Sequence, residues 1–181
     1  MEPFMPDTEK KAFYKYLKQG TCYYEFGSGG STVVACNSNN ILSVVSAESD
    51  TTFYEKMCTH FSPKPAKLTF RFIDVGCKGN WGYLSPSCPR STYERYYKSI
   101  DGNPDLVLID GRFRVACALY TWFAVDGAAI VLFDDFFDRP FYHVVLECYN
   151  VLEKAGRLAV LQKKLVEPPP DIIEKYSTDP R

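Results

Sequence analysis

The sequence predicts a doubly wound α/β fold, in which a mostly parallel seven-stranded sheet carries helices on both faces and ends in a C-terminal antiparallel hairpin. Short apolar runs alternate with helix-like segments along the chain, and the clearest runs, DLVLID and AAIVLFDD, stay apolar until they end in acidic residues. Such runs are typical of strands buried on both faces of a parallel sheet. The 181 residues suit one domain, expected over residues 1–165, with a Pro-rich tail over 166–181.

The elements of this fold can be placed in order along the chain. Helical spacing of apolar residues predicts an N-terminal helix over 8–19, which ends at Gly20. Apolar runs predict five strands: Cys22–Phe26, Ile41–Ala47, Leu68–Val75, Asp105–Asp110 and Ala128–Asp135. The segments between and after them predict helices: Gly30–Ser38, Thr51–Phe61, Ser91–Ile100, Arg112–Ala124 and Pro140–Tyr149. The run Val151–Lys163 predicts two strand arms around Lys154–Gly156, which form the terminal hairpin.

Composition and charge exclude several classes of protein. The 21 basic and 22 acidic residues give a net charge of −1, without the basic excess expected of a nucleic-acid binder. There is no apolar stretch of about 18 residues, so no membrane span is predicted. The seven cysteines form no C-x-x-C pair and there are two histidines, which excludes a clustered Cys/His zinc site. We expect a cytoplasmic protein with reduced thiols that binds neither nucleic acid nor membrane.

A glycine-rich run, EFGSGGST at residues 25–32, lies where the first predicted strand passes into the first crossover helix. Glycines 27, 29 and 30 allow a tight turn and close approach of backbone to a ligand. A dinucleotide fingerprint would need glycine at position 32, which is threonine, and a P-loop would need G-K-[ST]. A flexible turn without a ligand is the alternative.

An acid follows at the end of the second predicted strand, where Glu48 stands beside the glycine-rich run. An acid at this place in nucleoside-binding α/β folds accepts both hydroxyls of a ribose. Together the two features indicate an adenosine-bearing ligand that lacks a pyrophosphate.

Three more acids end the next two strands: Asp110, Asp134 and Asp135. The carboxyl ends of parallel strands meet at one edge of the sheet, so these carboxylates are expected to converge near the glycine turn. Carboxylates that converge repel one another unless they are protonated, ion-paired or shared by a cation. Individually they can also serve as helix N-caps. The arginines near enough in sequence to pair with them are Arg112, Arg114 and Arg139.

The run at residues 25–32 resembles motif I, usually E/D-x-G-x-G, of the class I S-adenosylmethionine-dependent methyltransferases, and Glu48 matches that family's ribose ligand. By element order the resemblance covers about residues 20–164 and implies a Rossmann-like fold. It implies S-adenosyl-L-methionine as cofactor, with its methionine part on the backbone of residues 27–30 and adenine near residues 76–82. Trp81 there would stack on adenine or pack the loop onto the core. The implied cofactor-binding residues are Glu25, Gly27, Ser28, Gly29, Gly30, Ser31, Thr32, Glu48, Ser49, Trp81, Gly82 and Asp110.

The acidic pattern resembles that of metal-dependent O-methyltransferases, including sugar enzymes. This resemblance implies that Asp110, Asp134 and Asp135 hold Mg²⁺ or Mn²⁺, which would bind and orient an acceptor hydroxyl. The sugar enzymes commonly have an Asp as base where this chain has Arg112, which leaves His143 and Asp138 as candidate bases. The predicted catalytic residues are Asp110, Arg112, Asp135 and His143.

The resulting hypothesis is an O-methyltransferase for a small-molecule or glycan hydroxyl. Its acceptor is expected to contact aromatic residues after Gly76 and Asp135, and the site to be completed in a homodimer. The alternatives are a non-catalytic domain that binds the cofactor and regulates or scaffolds a partner, and a nicotinamide-dependent dehydrogenase. The dehydrogenase is the weakest of these hypotheses, because this sequence lacks the third glycine of the dinucleotide fingerprint and a residue suited to hydride transfer. The aromatic residues expected at the acceptor, with contacts in the core or in a dimer as the equal alternative, are Tyr83, Tyr93, Phe136, Phe137 and Tyr142.

Overall fold

The computed structural model describes residues 1–76, 89–177 and 179 of the chain. Seven strands lie in this part: β1 (Cys22–Phe26), β2 (Ser43–Glu48), β3 (Leu68–Phe72), β4 (Leu106–Ile109), β5 (Ile130–Phe133), β6 (Tyr149–Ala155) and β7 (Leu158–Lys163). The same residues form six α-helices: α1 (Asp7–Leu17), α2 (Gly30–Asn37), α3 (Thr51–His60), α4 (Arg90–Tyr97), α5 (Arg114–Ala124) and α6 (Pro170–Tyr176). A 3₁₀ helix covers Pro140–Glu147.

The strands form one seven-stranded sheet in the order β3-β2-β1-β4-β5-β7-β6. β1 to β5 pair in parallel, whereas β7 is antiparallel to both β5 and β6. This arrangement confirms the predicted fold class, including the terminal hairpin.

Both faces of the sheet are buried because alternate residues of the central strands point to opposite sides. In β4, Leu106 and Leu108 pack in a cluster with residues of α1, α2 and α3, whereas Val107 and Ile109 pack in a cluster with residues of α4 and α5. This double burial explains why the strand is apolar throughout. No helix within residues 1–76, 89–177 and 179 is long and apolar enough to cross a bilayer.

The bounds of some elements differ from those predicted. β3 ends at Phe72, whereas the predicted strand continues to Val75. Val75 is apolar because it is buried in the core, but it lies in the loop that follows the strand. The predicted tail contains α6, whose residues Ile172 and Ile173 pack against the core cluster that includes α5. The helix predicted from Pro140 is 3₁₀ and ends at Glu147. Apolar residues in loops and short helices therefore account for these differences.

The sheet positions a crevice at the carboxyl ends of β1 and β4. These two strands are neighbours, and the chain order runs outward from them in opposite directions, toward β3 on one side and β5 on the other. Such a reversal separates the loops that follow the two strands, and open α/β sheets bind ligands in the gap between them. The glycine-rich run follows β1 and Asp110 follows β4, so both lie at this gap.

Candidate active site

The turn between β1 and α2 depends on glycine at position 27. Gly27 has a φ of +96°, in the region that favours glycine, and a Cβ on it would lie 3.0 Å from the backbone of Gly111. Its N–H donates to the Ala47 carbonyl of β2 at 2.8 Å. The loops that follow β1 and β4 are therefore in contact, which the predicted strand ends required.

The carboxylate of Glu25 lies beneath this turn and organises it. Glu25 is fully buried and accepts hydrogen bonds from the hydroxyls of Tyr23 at 2.8 Å, Ser31 at 2.7 Å and Ser46 at 2.6 Å, and from that of Thr32. Burial raises the pKa of Glu25, and these hydroxyl donors oppose the shift. Three of the predicted cofactor residues, Glu25, Ser31 and Thr32, thus have their side chains in a buried network that joins β1, β2 and the first turn of α2.

Glu48 ends β2 and lies directly against the glycine turn. Its Oε2 accepts the Ser28 N–H at 2.9 Å, and its Oε1 accepts the N–H groups of Ser49 at 2.7 Å and Asp50 at 2.8 Å. Burial raises the pKa of Glu48, and the three backbone donors oppose that shift. The structure therefore brings Glu48, Ser28 and Ser49 together, as the sequence predicts.

Arg114 lies among the three acids that end β4 and β5. Its guanidinium reaches Asp110 Oδ1 at 3.1 Å, Asp135 Oδ2 at 3.2 Å and Asp134 Oδ2 at 3.8 Å. The same group donates to the carbonyls of Asp110 at 3.1 Å, Gly111 at 2.9 Å and Asp134 at 2.8 Å. The predicted convergence of the acids is present, in its ion-paired form.

Two further arginines complete the pairing of Asp135. Arg139 reaches its Oδ2 at 2.8 Å and Arg157 reaches its Oδ1 at 2.6 Å. Arg157 also pairs with the buried Glu9 of α1 at 3.1 Å. Sequence reasoning missed Arg157, because it lies in the turn of the terminal hairpin, and the only signal was a lone basic residue in that turn.

The residues present do not fit a divalent cation. Both oxygens of Asp135 already accept hydrogen bonds from guanidinium groups, and the buried charge of Arg114 stands where the three carboxylates converge. No group of three or more His, Cys, Asp or Glu residues in the described part of the chain is placed to hold a metal ion. We therefore derive no step through Mg²⁺ or Mn²⁺ at Asp110, Asp134 and Asp135.

Asp134 is a buried acid of this cluster and lies beside Asp110. Burial raises its pKa to about 8, helped by the charge of Asp110 and a hydrogen bond with that carboxyl. A hydrogen bond between two carboxyls needs one proton, and no donor in the described residues reaches Asp134 Oδ1. Asp110 faces outward, its side chain 37% exposed. Burial raises the pKa of Asp110 while Arg114 lowers it. The pKa values of both neighbouring carboxyls are therefore raised.

Two candidate bases lie in other surroundings. His143 Nε2 donates to the Phe136 carbonyl at 3.1 Å, and its ring packs on that of Phe136 with centroids 4.9 Å apart. Asp138 has a side chain 62% exposed and lies 4.0 Å from Arg157. Neither residue lines the cavity at the glycine turn. Arg112 stands in the loop between β4 and α5, where its carbonyl accepts from Cys117 Sγ at 3.4 Å.

Most of the aromatic residues expected at the acceptor belong to the core. Tyr93, Phe136 and Tyr142 are buried, and Tyr142 packs between the guanidinium groups of Arg114 and Arg139. These three residues therefore have the core role rather than the expected place at the acceptor, since rings that follow strand ends can turn inward to cover the sheet. Phe137 is partly buried against the same cluster. The predicted site residues Trp81, Gly82 and Tyr83 lie outside the described residues.

A cavity of about 340 Å³ opens at the glycine turn. It is bounded by the turn, by Asp110, by one face of α3 and by the start of the chain. The residues that line it are Met1, Glu2, Pro3, Phe4, Met5, Ser28, Gly29, Gly30, Ser31, Phe53, Lys56 and Asp110.

Solved structures that align with this chain include methyltransferases. A putative caffeoyl-CoA O-methyltransferase from Staphylococcus aureus aligns at 16% identity over 90% of this chain and 86% of its own, with a TM-score of 0.57. The Podospora anserina methyltransferase PaMTH1, solved with SAH, aligns at 12% identity over 90% of both chains, with a TM-score of 0.56. At these identities the likeness shows the fold alone, which is that of the class I methyltransferases.

A much nearer relative shows the family. A methyltransferase-like protein from Silicibacter pomeroyi aligns at 32% identity over 99% of this chain and 98% of its own, with a TM-score of 0.87. The chain belongs to this methyltransferase-like family. No family model matches the sequence, and no curated protein matches it.

Proposed function

We propose that the protein is an S-adenosyl-L-methionine-dependent O-methyltransferase that acts on a hydroxyl of a small molecule, with a sugar or glycan hydroxyl as the leading class. The observation that carries this proposal is the contact of Glu48 with the glycine turn, where its Oε2 lies 2.9 Å from the Ser28 nitrogen. Membership of the methyltransferase-like family supports the reaction type.

The glycine turn suits the amino-acid part of the cofactor, and Glu48 suits the ribose of its nucleoside part. Each carboxylate oxygen has two lone pairs, and Glu48 Oε2 accepts one N–H in the structure. A ribose hydroxyl can therefore donate to the same oxygen without displacing the Ser28 contact. At the turn, no atom of the described residues outside the immediate neighbourhood of Gly29 in the chain lies within 4 Å of the position that a Cβ on it would take, so this part of the turn is open to a ligand.

Asp110 is the group placed to receive the acceptor's proton. It lines the cavity beside the turn, and Arg114 holds its carboxylate in place through a contact of 3.1 Å. When bound, the cofactor supplies a methyl group on a sulfonium, so the acceptor oxygen gains a carbon and releases a proton. Partial burial raises the pKa of Asp110, and a carboxylate with a raised pKa accepts that proton more readily than one with the ordinary value.

The first experiment is calorimetric titration of the protein with S-adenosylhomocysteine and, separately, with NAD. We expect binding of the first and none of the second; the reverse would overturn the assignment.

Methyl transfer from labelled cofactor is then measured on a panel of glycosides and catechols, with and without EDTA. Because three arginines neutralise the acids, we expect EDTA to leave turnover unchanged.

Substitution of Glu48 by alanine is expected to weaken binding of S-adenosylhomocysteine by about 1–3 kcal/mol, the cost of losing a buried hydrogen-bonded partner. Calorimetry measures the effect. The matched control is Asp50→Asn, which alters a neighbouring carboxylate that caps α3 by accepting the Phe53 N–H at 2.8 Å. Asparagine caps a helix equally well, so its affinity should equal that of the unmodified chain. If Glu48→Ala binds S-adenosylhomocysteine as tightly as the unmodified chain does, Glu48 is not a ribose ligand.

Substitution of Asp110 by asparagine is expected to lower kcat by about a hundredfold, the lower end of the effect of a general base. The reason is that an amide keeps the shape of the carboxyl but accepts no proton. Turnover with the best acceptor of the panel measures the loss, and binding of S-adenosylhomocysteine shows that the variant is folded. A kcat within twofold of the unmodified enzyme would assign the proton to another group.

A second function from another class is a domain that binds the cofactor and regulates or scaffolds a partner. Arg112 at the position of the expected base, and the complete ion-pairing of Asp135, are the observations that favour it. Binding of S-adenosylhomocysteine without turnover on any acceptor of the panel would support it over the enzyme.

A further inference from the structure

The start of the chain lies across the glycine turn. We call residues Met1–Met5 the N-terminal strap. A Cβ built on Gly30 would lie 2.0 Å from the carbonyl oxygen of Glu2 and 2.4 Å from the nitrogen of Pro3. Real Cβ atoms do not approach backbone so closely, so the strap can occupy this place only because residue 30 is glycine.

The strap is held there by contacts at several of its residues. Pro3 is buried, and Met5 is buried in the core cluster that also contains Phe13. The carboxylate of Glu2 pairs with Lys10 of α1 at 3.2 Å. Phe4, between the two buried residues, is fully exposed. An alternation of buried and exposed residues is typical of an extended segment laid on a surface.

The strap also encloses space. It forms one side of the cavity of about 340 Å³, whose other sides are the glycine turn, Asp110 and the Phe53 and Lys56 positions of α3. A molecule held on the backbone of the turn therefore has the strap as its opposite neighbour. The Glu2 carbonyl oxygen of the strap lies beside Gly30, and a carbonyl oxygen suits an ammonium or hydroxyl donor.

We propose that the N-terminal strap is a wall of the cofactor site, and that Gly30 is the residue that admits it. The identity of the ligand rests on the proposed function, whereas the wall follows from the cavity and the Gly30 contact. A ligand bound on the glycine turn buries the strap and is held by it. Removing or displacing the strap therefore weakens the binding of that ligand.

The test is a cycle of four proteins: the unmodified chain, Gly30→Ala, a chain that begins at Met5, and the shortened chain with Gly30→Ala. The shortened chain keeps the buried Met5 and loses only the rest of the strap. Alanine is a good helix former, so position 30 itself tolerates it. The described atoms nearest to the new Cβ belong to the strap, so the effect of Gly30→Ala on affinity should depend on the strap. Calorimetric titration with S-adenosylhomocysteine gives the four affinities.

We expect the shortened chain and Gly30→Ala each to bind about tenfold more weakly, a loss of about 1.4 kcal/mol. In the shortened chain, Gly30→Ala should weaken binding clearly less than it does in the full chain, because there is no strap for its Cβ to displace. Unchanged affinity of the shortened chain would overturn the proposal, as would an equal effect of Gly30→Ala in both backgrounds.

Hydrogen exchange of the Phe4 and Met5 amides supplies a second measurement that needs no variant. S-adenosylhomocysteine should slow their exchange about tenfold or more in the unmodified chain; an unchanged rate would overturn the proposal even if the shortened chain fails to fold. Failure of the unmodified chain to bind the ligand would overturn the proposed function and the wall with it. Binding that ignores the strap would overturn the wall alone.

Discussion

Replacement of Arg114 by methionine is expected to lower the free energy of unfolding by about 3–5 kcal/mol, the usual cost of removing one partner of a buried ion pair. The Arg114 side chain is only 10% exposed, and its guanidinium contacts Asp110, Asp134 and Asp135. Methionine fills similar space but leaves the carboxylates to repel one another. It also removes the donors that tie the loop after β4 to the loop after β5.

Urea unfolding measures this loss, with Arg139→Met as the matched control. Arg139 pairs with Asp135 as well, but its side chain is 38% exposed, so its removal should cost about 1 kcal/mol or less. Lysine at position 114 should recover only part of the stability, because it keeps the charge but has no planar fork to span two strands. A loss below about 1 kcal/mol for Arg114→Met would show that the acids are stabilised by something else.

Replacement of Asp134 by asparagine is expected to make the protein more stable relative to the unmodified chain as pH rises from about 4 to about 8. The pKa of Asp134 is about 8 in the folded protein, against about 3.9 in an unfolded chain. Between these values the folded state holds a proton that the unfolded state has released, so the unmodified protein loses stability with rising pH. Asparagine imitates the protonated carboxyl and has no such loss.

The stability difference between the two proteins should grow by at most about 1.4 kcal/mol for each pH unit in this window, the value for one proton. Below about pH 4 it should be constant. Urea unfolding at several pH values measures the difference, with Asp138→Asn as a control in an exposed carboxylate of the same loop. A difference that does not change between pH 4 and pH 8 would mean that Asp134 is ionised in the folded protein.

Most of the fold could be predicted because its signals are local. β1 has the predicted bounds, and β4 and β5 are recognisable because burial on both faces leaves no polar residue in them. Glu48 and the glycine turn could be paired because strand ends in a parallel sheet meet at one edge. The family resemblance rested on these same residues.

The rest of the site depends on contacts between distant side chains. Sequence spacing placed the acids near arginines, but only packing shows that Arg114 turns into the cluster and that Arg157 joins it from the hairpin. The metal hypothesis and the ion-paired alternative contain the same residue types, so composition does not separate them. The strap was missed for a similar reason, since a short segment rich in Pro and Met has no periodic pattern before it lies on Gly30.

The reach of Arg157 has a consequence for the order in which the site is assembled. Arg157 binds Glu9, 148 positions earlier, and Asp135, 22 positions earlier, so one guanidinium closes contacts over very different chain separations. Protein synthesis delivers the N-terminal part of the chain first. Glu9 and Asp135 leave the ribosome before the hairpin turn whose Arg157 pairs with both of them. A nascent chain that stops before residue 157 lacks the ion pairs of Arg157 with Glu9 and Asp135. We expect the strands of that chain to be more accessible to proteases and chaperones than those of the finished protein.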